Sequence, residues 1–229
     1  MQGRTALITG ANGGLGNQVT QTFLAAGATV AGVSLDIRQS DFPDPNFTAF
    51  MSDISDSASA MKLAKEVIGK LGKVDVLVHL AGGFAGGKTV AEEDEATLDR
   101  MLDINLRSAF LIFRAFLPHM RQAASGRIIA IGSRAAETAS PGLAAYALSK
   151  AALVSLVRTV AAENKDLGIT ANVILPGTMD TPGNRAGMPD ADRGRWINPQ
   201  TVASLILWLA GDGGAQVSGA AIPVYGRDV

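Results

Sequence analysis

The sequence contains no cysteine among its 229 residues, which excludes disulfide bonds and thiolate chemistry. Histidine is scarce as well: only His79 and His119 occur, and neither joins partners at metal-ligand spacing. We therefore expect no metal site built by the protein. Charge of either sign is also sparse, with 18% charged residues, a net charge of −1 and no basic or acidic block. This balance argues against nucleic acid or a membrane surface as a partner.

Long hydrophobic runs are missing too, since no apolar segment is expected to reach the length of a membrane span. The apolar start of the chain leads into a glycine-rich loop and not into a cleavage site, so we expect no signal peptide and a cytoplasmic location. Hydrophobic residues nevertheless make up 47% of the chain, which is enough for a large buried core.

Short β-rich runs alternate with longer helical runs along the whole chain. The runs are continuously apolar, which is typical of strands buried on both faces in a parallel sheet. The alternation predicts an α/β, doubly wound fold in one domain, 1–229. The predicted strands are 5–9, 29–34, 47–51, 74–80, 127–131, 169–175 and 221–224. The predicted helices are 15–26, 57–71, 92–119, 144–164 and 199–210.

The least regular segment is 177–199, which is rich in Gly, Pro, Asp and Asn. It follows a predicted strand, and open α/β sheets place their ligand sites beyond the carboxyl ends of strands. We interpret it as a substrate loop or lid, with a plain surface connection as the alternative.

The first strand runs into the loop TGANGGLG, which contains Gly10, Gly14 and Gly16, and then into a helix. Glycines at such a turn let the backbone approach a pyrophosphate, and the helix N-terminus offers free N–H groups. An ordinary tight turn would also need glycines. The position at a strand–turn–helix junction favours a dinucleotide site.

Asp36 ends the second strand, twenty residues after Gly16. An acid at this place can accept hydrogen bonds from the ribose hydroxyls of adenosine and would repel a 2′-phosphate. It therefore favours NAD(H) over NADP(H). Arg38 could hold that phosphate, so NADP(H) is not excluded.

Tyr146 and Lys150 stand four residues apart in YALSK, which places both side chains on one face of a helix. A free tyrosine has a pKa near 10, and a neighbouring lysine would lower it toward the range useful for proton transfer. The alternative is packing beside a solvated amine. Ser133 ends the fifth predicted strand and would point to the same edge of the sheet.

Four motifs in this order, TGANGGLG, Ser133, YALSK and PGTMDT, resemble the short-chain dehydrogenase/reductase family over essentially the whole chain. The resemblance implies a Rossmann-type fold with a seven-stranded, mostly parallel sheet and helices on both faces. It implies that Tyr146 protonates a substrate carbonyl that Ser133 holds. It also implies that Lys150 binds the nicotinamide ribose and that Asn105 anchors a water in the proton path. The other cofactor contacts that it implies are Gly10, Asn12, Gly13, Gly14, Leu15, Gly16, Ala81, Gly82, Pro176, Gly177, Met179 and Thr181.

Two further positions bear on the resemblance. Asp53 matches the family's adenine contact, although it could instead cap the helix 57–71. The family usually has Asn-Asn-Ala-Gly after the fourth strand, whereas this chain has His79-Leu80-Ala81-Gly82. The asparagines that brace that strand are therefore missing.

The helix 144–164 is apolar or small nearly all round, which indicates burial on more than one side. It could be covered within one chain. The family pairs this helix and the preceding one between subunits, so the resemblance implies a homodimer or homotetramer.

The sequence indicates the substrate less closely than the cofactor. LAGGFAGGK and the segment 175–196 resemble dihydropteridine reductases, an NADH-preferring branch of the same family that often lacks the serine. Because Ser133 is present, we expect an ordinary ketone or secondary alcohol, with a pterin reductase as the alternative. A non-catalytic NAD-binding sensor would not need Ser133, Tyr146 and Lys150 together. Candidate substrate contacts are Phe84, Arg134, Met188 and Trp196.

Overall fold

The seven apolar runs form one sheet in which all neighbouring strands are parallel, in the order β3-β2-β1-β4-β5-β6-β7. The computed structural model describes residues 1–227, so the last two residues of the predicted domain lie outside the described part. The strands are β1 (Thr5–Thr9), β2 (Thr29–Ser34), β3 (Phe47–Met51), β4 (Val76–His79), β5 (Gly126–Ile131), β6 (Ile169–Pro176) and β7 (Ala221–Val224). The predicted α/β, doubly wound Rossmann-type fold is confirmed.

Helices cover both faces of the sheet. Successive side chains of each strand point to opposite faces, and both sets are apolar. Leu7 belongs to one core cluster and Ile8 to the other. The helices are α1 (Gly14–Ala25), α2 (Ser57–Leu71), α3 (Glu95–Leu102), α4 (Ser108–Ala123), α5 (Ala144–Asn164), α6 (Pro182–Gly187) and α7 (Pro199–Ala210). Helices α1 and α7 pack on the Ile8 face, and α2, α4 and α5 pack on the Leu7 face.

The strand order reverses between β1 and β4, since the chain winds outward from β1 to β3 and then returns to the other side. At such a switch point the loops after neighbouring strands diverge and leave a crevice beyond their carboxyl ends. The loops after β1, β4, β5 and β6 all open toward this edge.

Apart from shifts of one or two residues at the ends of some elements, two predicted segments differ from the structure. The single helix predicted over 92–119 is two helices, α3 and α4, joined by a π-helical turn at Asp103–Arg107. It begins late because the Asp94 carboxylate accepts a hydrogen bond from the Thr97 N–H at 2.7 Å and caps α3. The irregular segment 177–199 contains the short helix α6, and Met179 pairs with Ile197 across it.

One expectation about hydrophobic length is wrong. The helical stretch Ala144–Leu167 is long and apolar enough to cross a membrane, by length and composition alone. It packs along β6 and contributes Leu153 and Val157 to the core. Because its buried side chains belong to the core between the helix and the sheet, we assign this stretch to a core helix of the domain.

Candidate active site

A cavity of ≈ 730 Å³ opens at the carboxyl edge of the sheet, at the switch point between β1 and β4. Its walls come from the start of α1, the turn after β4, the segment after β5, the first turns of α5 and the segment from the end of β6 through α6. The predicted catalytic side chains Ser133, Tyr146 and Lys150 all line this cavity.

The glycine loop before α1 leaves no room for side chains. Gly10 has a φ of +67°, and a Cβ there would lie 3.0 Å from the Ala81 nitrogen. A Cβ on Gly16 would lie 1.8 Å from the Gly10 carbonyl oxygen, and one on Gly14 would lie 2.9 Å from the Thr181 Cβ. No side chain caps α1, whose N-cap residue is Gly13. The loop therefore offers bare backbone and a helix N-terminus, which fits a pyrophosphate group.

Asp36, the acid predicted to contact the adenosine ribose, lies beside this glycine loop. Asp36 is exposed after β2, and its Oδ1 accepts a hydrogen bond from Asn12 Nδ2 at 3.0 Å. Asn12 thus holds the carboxylate against the glycine loop. Arg38 is exposed, and its backbone N–H donates to the Asp41 carboxylate at 3.0 Å.

Asp53 does not cap α2, so that alternative is wrong. Its Oδ1 accepts hydrogen bonds from the Ser55 N–H at 2.9 Å and the Ser55 hydroxyl at 2.6 Å. The cap is Asp56, which accepts from the Ser59 N–H at 2.7 Å. The adenine contact of Asp53 stays a prediction.

The Tyr146 hydroxyl lies within hydrogen-bond reach of the Ser133 side chain. Burial raises the pKa of the Tyr146 phenol, and a hydrogen bond with the Ser133 side chain offsets part of that rise. Because the pKa is raised, the phenol holds its proton at neutral pH. The Ser133 oxygen also accepts a hydrogen bond from the Ala135 N–H at 3.2 Å.

The expectation that Lys150 lowers the pKa of Tyr146 is not met in this structure. The Lys150 ammonium donates to the Ile131 carbonyl oxygen at 2.9 Å, and its Nζ lies 6.0 Å from the centroid of the Tyr146 ring. Burial lowers the pKa of Lys150 to about 8. The Lys150 amine is therefore held by the Ile131 carbonyl near the Tyr146 ring, and it is mostly protonated at neutral pH.

Asn105 lies on the π-helical turn and is buried. Such turns frequently occur at functional sites. Its Oδ1 accepts from the Gly83 N–H at 2.9 Å, and its Nδ2 donates to the Ser149 hydroxyl at 3.0 Å. Ser149 in turn donates to the Tyr146 carbonyl oxygen at 2.7 Å. Sequence reasoning missed Ser149, although it stands inside YALSK one helical turn after Tyr146.

The turn after β4 reaches the same group of side chains. A Cβ on Gly82 would lie 2.5 Å from Asn105 Oδ1 and 3.4 Å from Lys150 Nζ. Gly82 therefore brings the backbone close to the Asn105 amide and the Lys150 amine, and a side chain at this position would displace them. Ala81 contacts the glycine loop at Gly10.

The segment after β6 forms the opposite wall, with Pro176, Gly177, Met179 and Thr181. Thr181 Oγ1 accepts from the Asn184 N–H at 3.3 Å and caps α6. The Met179 carbonyl accepts from the Thr181 N–H at 2.9 Å. Sequence reasoning missed Asn184, whose side-chain amide also donates to the Met179 carbonyl at 2.8 Å.

Part of the cavity wall is apolar. Phe84 is 64% exposed, and its ring packs edge-on against Tyr146 with 5.0 Å between centroids. Leu143 and Met188 lie on two other segments of the wall. Leu143 was not predicted, because nothing in its local sequence separates it from an ordinary residue before a helix.

The two remaining candidate substrate contacts have different outcomes. Arg134 lines the cavity beside Ser133, and its guanidinium lies 5.9 Å from the centroid of the Tyr225 ring. Trp196 does not line the cavity, which corrects its assignment as a substrate contact. It packs instead under the guanidinium of Arg193, at 6.0 Å.

Comparison with known proteins gives a family match over most of the chain. The family model described as short chain dehydrogenase matches residues 4–191. The chain is 32% identical over 237 residues to 3-oxoacyl-[acyl-carrier-protein] reductase of Escherichia coli, and the match covers 98% of this chain and 97% of that protein.

Two solved structures extend the comparison to bound cofactors. The 3-ketoacyl-(acyl-carrier-protein) reductase of Brucella melitensis complexed with NADH has a TM-score of 0.90 and 27% identity, covering 100% of this chain and 99% of that chain. The structure of ElxO with NADP bound shares the fold, with a TM-score of 0.93 at 23% identity, and covers 100% of this chain and 99% of that chain.

Proposed function

The chain belongs to the short-chain dehydrogenase family, and from this premise we propose that its reaction is carbonyl reduction with Tyr146 as the general acid. As a member of the family it is an oxidoreductase that transfers hydride between a nicotinamide cofactor and a ketone or alcohol. The observation that carries the residue assignment is the hydrogen bond between the Ser133 and Tyr146 side chains in a cavity above the buried Lys150.

The cofactor supplies the hydride when it is bound. The bare glycine loop and the uncapped N-terminus of α1 would hold its pyrophosphate. The segment 176–181 would hold the nicotinamide end, and Gly82 leaves room for it beside Lys150. The proposed contacts otherwise follow the residues named from the sequence.

The protein's own groups manage the substrate oxygen and its proton. Ser133 donates a hydrogen bond to the carbonyl oxygen and orients it toward the Tyr146 hydroxyl. Tyr146, which keeps its proton at neutral pH, gives that proton to the oxygen as negative charge develops there. Lys150, which is mostly charged at neutral pH and lies one turn away on the same helix face, would oppose the negative charge of the phenolate as it forms, although in this structure burial outweighs this effect on the Tyr146 pKa.

Asn105 fixes the geometry below this group. Its amide joins the Gly83 backbone to Ser149, and Ser149 joins it to the Tyr146 backbone. A water anchored at Asn105 would return a proton to the Tyr146 phenolate, as the resemblance implies.

NAD(H) is the cofactor that we propose is preferred. Asp36 is held beside the glycine loop by Asn12, where a 2′-phosphate would meet its negative charge. No Lys or Arg lies within TGANGGLG to offset that charge. We keep NADP(H) as the alternative because Arg38 follows two residues later. The cytoplasm, where nicotinamide cofactors are abundant, is the compartment that this activity favours.

The proposed substrate is a ketone or secondary alcohol with an apolar group next to the reacting carbon. Phe84, which packs on Tyr146, supports this, as do Leu143 and Met188, which present apolar side chains to the same cavity. A quinonoid pterin is the second candidate, because a flat ring could pack on the exposed Phe84 ring.

A homodimer or homotetramer built through α4 and α5 is the assembly that we propose. Phe110 on α4 is 50% exposed and Leu148 on α5 is 58% exposed, so each helix presents a large apolar side chain to solvent. Light scattering after size exclusion should give two or four times the chain mass of 23.6 kDa. A monomer at micromolar concentration would contradict the proposal.

The function is tested by turnover of a ketone panel with NADH and with NADPH, followed at the nicotinamide absorbance. We expect reduction of ketones with an apolar substituent and a higher kcat/KM with NADH. Turnover of none of the ketones, together with turnover of quinonoid dihydropterin, would favour the second candidate. A higher kcat/KM with NADPH would contradict the assignment of Asp36.

A further inference from the structure

His79, at the end of β4, is a buried polar side chain that the reaction does not use. It is 1% exposed, and its imidazole packs edge-to-face on Phe113 with 5.8 Å between ring centroids. Its Nδ1 lies 3.0 Å from Thr9 Oγ1. Its Nε2 has no hydrogen-bond partner among residues 1–227. A buried ring nitrogen without a hydrogen-bond partner needs a physical explanation.

The hydrogen bonds around Thr9 determine which nitrogen of His79 carries the proton. Thr9 Oγ1 accepts from the Ala81 N–H at 3.2 Å and from the Leu80 N–H at 3.2 Å, and the Leu80 N–H is shared with the Thr9 carbonyl oxygen, also at 3.2 Å. A hydroxyl oxygen has two acceptor sites and one hydrogen to give. With both acceptor sites in use, the hydrogen is left for His79 Nδ1. His79 is therefore a neutral imidazole with its proton on Nε2.

The charged form of His79 is strongly disfavoured. Burial, and to a smaller extent the charge of Lys150, lower the pKa of His79 to about 3. An imidazolium would also lose the ability to accept at Nδ1. The neutral state is thus maintained across the range in which the protein would work.

The turn that Thr9 holds lies between the two halves of the active site. The Ala81 backbone lies against Gly10 in the cofactor loop, and Gly82 lies against Asn105 and Lys150. A shift of this turn by a few tenths of an ångström would therefore move the glycine loop and the catalytic amide together.

We propose that His79 is a positioning residue that accepts the Thr9 hydroxyl hydrogen and thereby locks the 80–83 turn between the cofactor loop and Asn105. It takes over in this chain a bracing position where the family usually has asparagine. The part that concerns catalysis rests on the proposed function, whereas the hydrogen-bond arrangement does not.

The first test is a double-mutant cycle on NADH affinity, measured by fluorescence titration. Both His79→Leu and Thr9→Val should weaken NADH binding about fivefold to a hundredfold, because each leaves a buried polar group without its partner. The double variant should bind no more weakly than the weaker single variant, since both changes break one unit. Two independent, multiplying losses would overturn the proposal.

Two further variants separate positioning from packing. His79→Asn offers an amide oxygen to the Thr9 hydroxyl and should keep NADH affinity within about threefold of the parent. Phe113→Leu loosens the packing around the imidazole but leaves Thr9 untouched. It should lower the melting temperature without changing NADH affinity. Loss of affinity in Phe113→Leu equal to that in His79→Leu would show a merely structural role.

The second test needs neither activity nor a variant that folds. Nitrogen NMR of the ring of His79 in the parent protein reports the tautomer directly. We expect only the Nε2–H form, unchanged from about pH 5 to 9. A proton on Nδ1, or a titration within that range, would refute the proposal. A failed ketone assay together with the expected NMR result would reject the proposed function alone.

Discussion

Lys150 keeps a charge in a buried position, so we predict that Lys150→Met makes the protein more stable at neutral pH while destroying its activity. The side chain is 6% exposed, and within residues 1–227 its Nζ makes one hydrogen bond, to the Ile131 carbonyl. Burial lowers the pKa from the ordinary 10.5 to about 8. Methionine has nearly the same length and no charge to bury.

The sign of the pH dependence of stability follows from how tightly Lys150 binds its proton in the folded and unfolded states. A lysine with a lowered folded-state pKa binds its proton less tightly when folded than when unfolded, so stability rises as the pH rises from about 8 to the unfolded value. Below about pH 8 the folded state carries the full cost of the buried charge. A pKa change of about 2.5 units corresponds to ~3 kcal/mol at pH 7. The cost falls below about 0.5 kcal/mol near pH 10.5.

The assay is urea unfolding of the parent and of Lys150→Met at several pH values. The variant should be more stable by ~3 kcal/mol at pH 7, less the value of the lost hydrogen bond, about 1 kcal/mol. This advantage should disappear by about pH 10.5. A pH-independent difference between the two proteins, or a variant that is less stable at pH 7, would refute the reasoning. Lys165→Met, beyond the end of α5 and exposed, should show no such pH dependence.

Three other substitutions test separate parts of the site. Asp36→Ser should weaken NADH binding about tenfold or more, because it removes charge-assisted acceptors, and should raise kcat/KM with NADPH, because it removes the repulsion of a 2′-phosphate. Steady-state kinetics with both cofactors test this, and an unchanged kcat/KM with NADPH would contradict it. Ser133→Ala should lower ketone turnover about 10²–10³-fold by removing one donor to the developing oxyanion, but should change pterin turnover little; a large loss with quinonoid dihydropterin would contradict this distinction. Ser149→Ala should lower kcat about tenfold with NADH affinity unchanged, because the Asn105 amide loses one of its two oxygen acceptors and keeps the Gly83 carbonyl; the exposed Ser155→Ala is the control, and equal activity of the two variants would show that Ser149 does not hold Asn105.

The fold was predictable because its signals are local. Each strand is a continuous apolar run, and the bounds of β1, β2, β3 and β7 agree with the sequence reading. The break between α3 and α4 was not predictable, since a π-helical turn has no marker in an otherwise helical pattern. Its reason is a tertiary contact: Asn105 bonds Gly83 and Ser149, which lie 22 and 44 residues away in the chain.

The grouping of Ser133, Tyr146 and Lys150 in one cavity was predictable from the sequence, whereas their electrostatics were not. Helix geometry places Tyr146 and Lys150 on one face whatever surrounds them. Their pKa values depend on burial by distant segments and on the Ile131 carbonyl, which takes the lysine's hydrogen bond. Trp196 failed as a substrate contact for a similar reason, because a tryptophan in a loop gives no sign of which way it packs.

The central claim is that Tyr146 gives the proton to the substrate oxygen. Tyr146→Phe removes one oxygen and keeps the ring, and Tyr225→Phe is the matched control at the other of the two tyrosines. The direct measurement is single-turnover oxidation of bound NADH by a ketone substrate, together with NADH affinity. We predict that Tyr146→Phe loses about 10²–10⁴-fold in rate with NADH affinity unchanged, and that Tyr225→Phe keeps the parental rate. A Tyr146→Phe protein with near-parental hydride transfer would contradict the account.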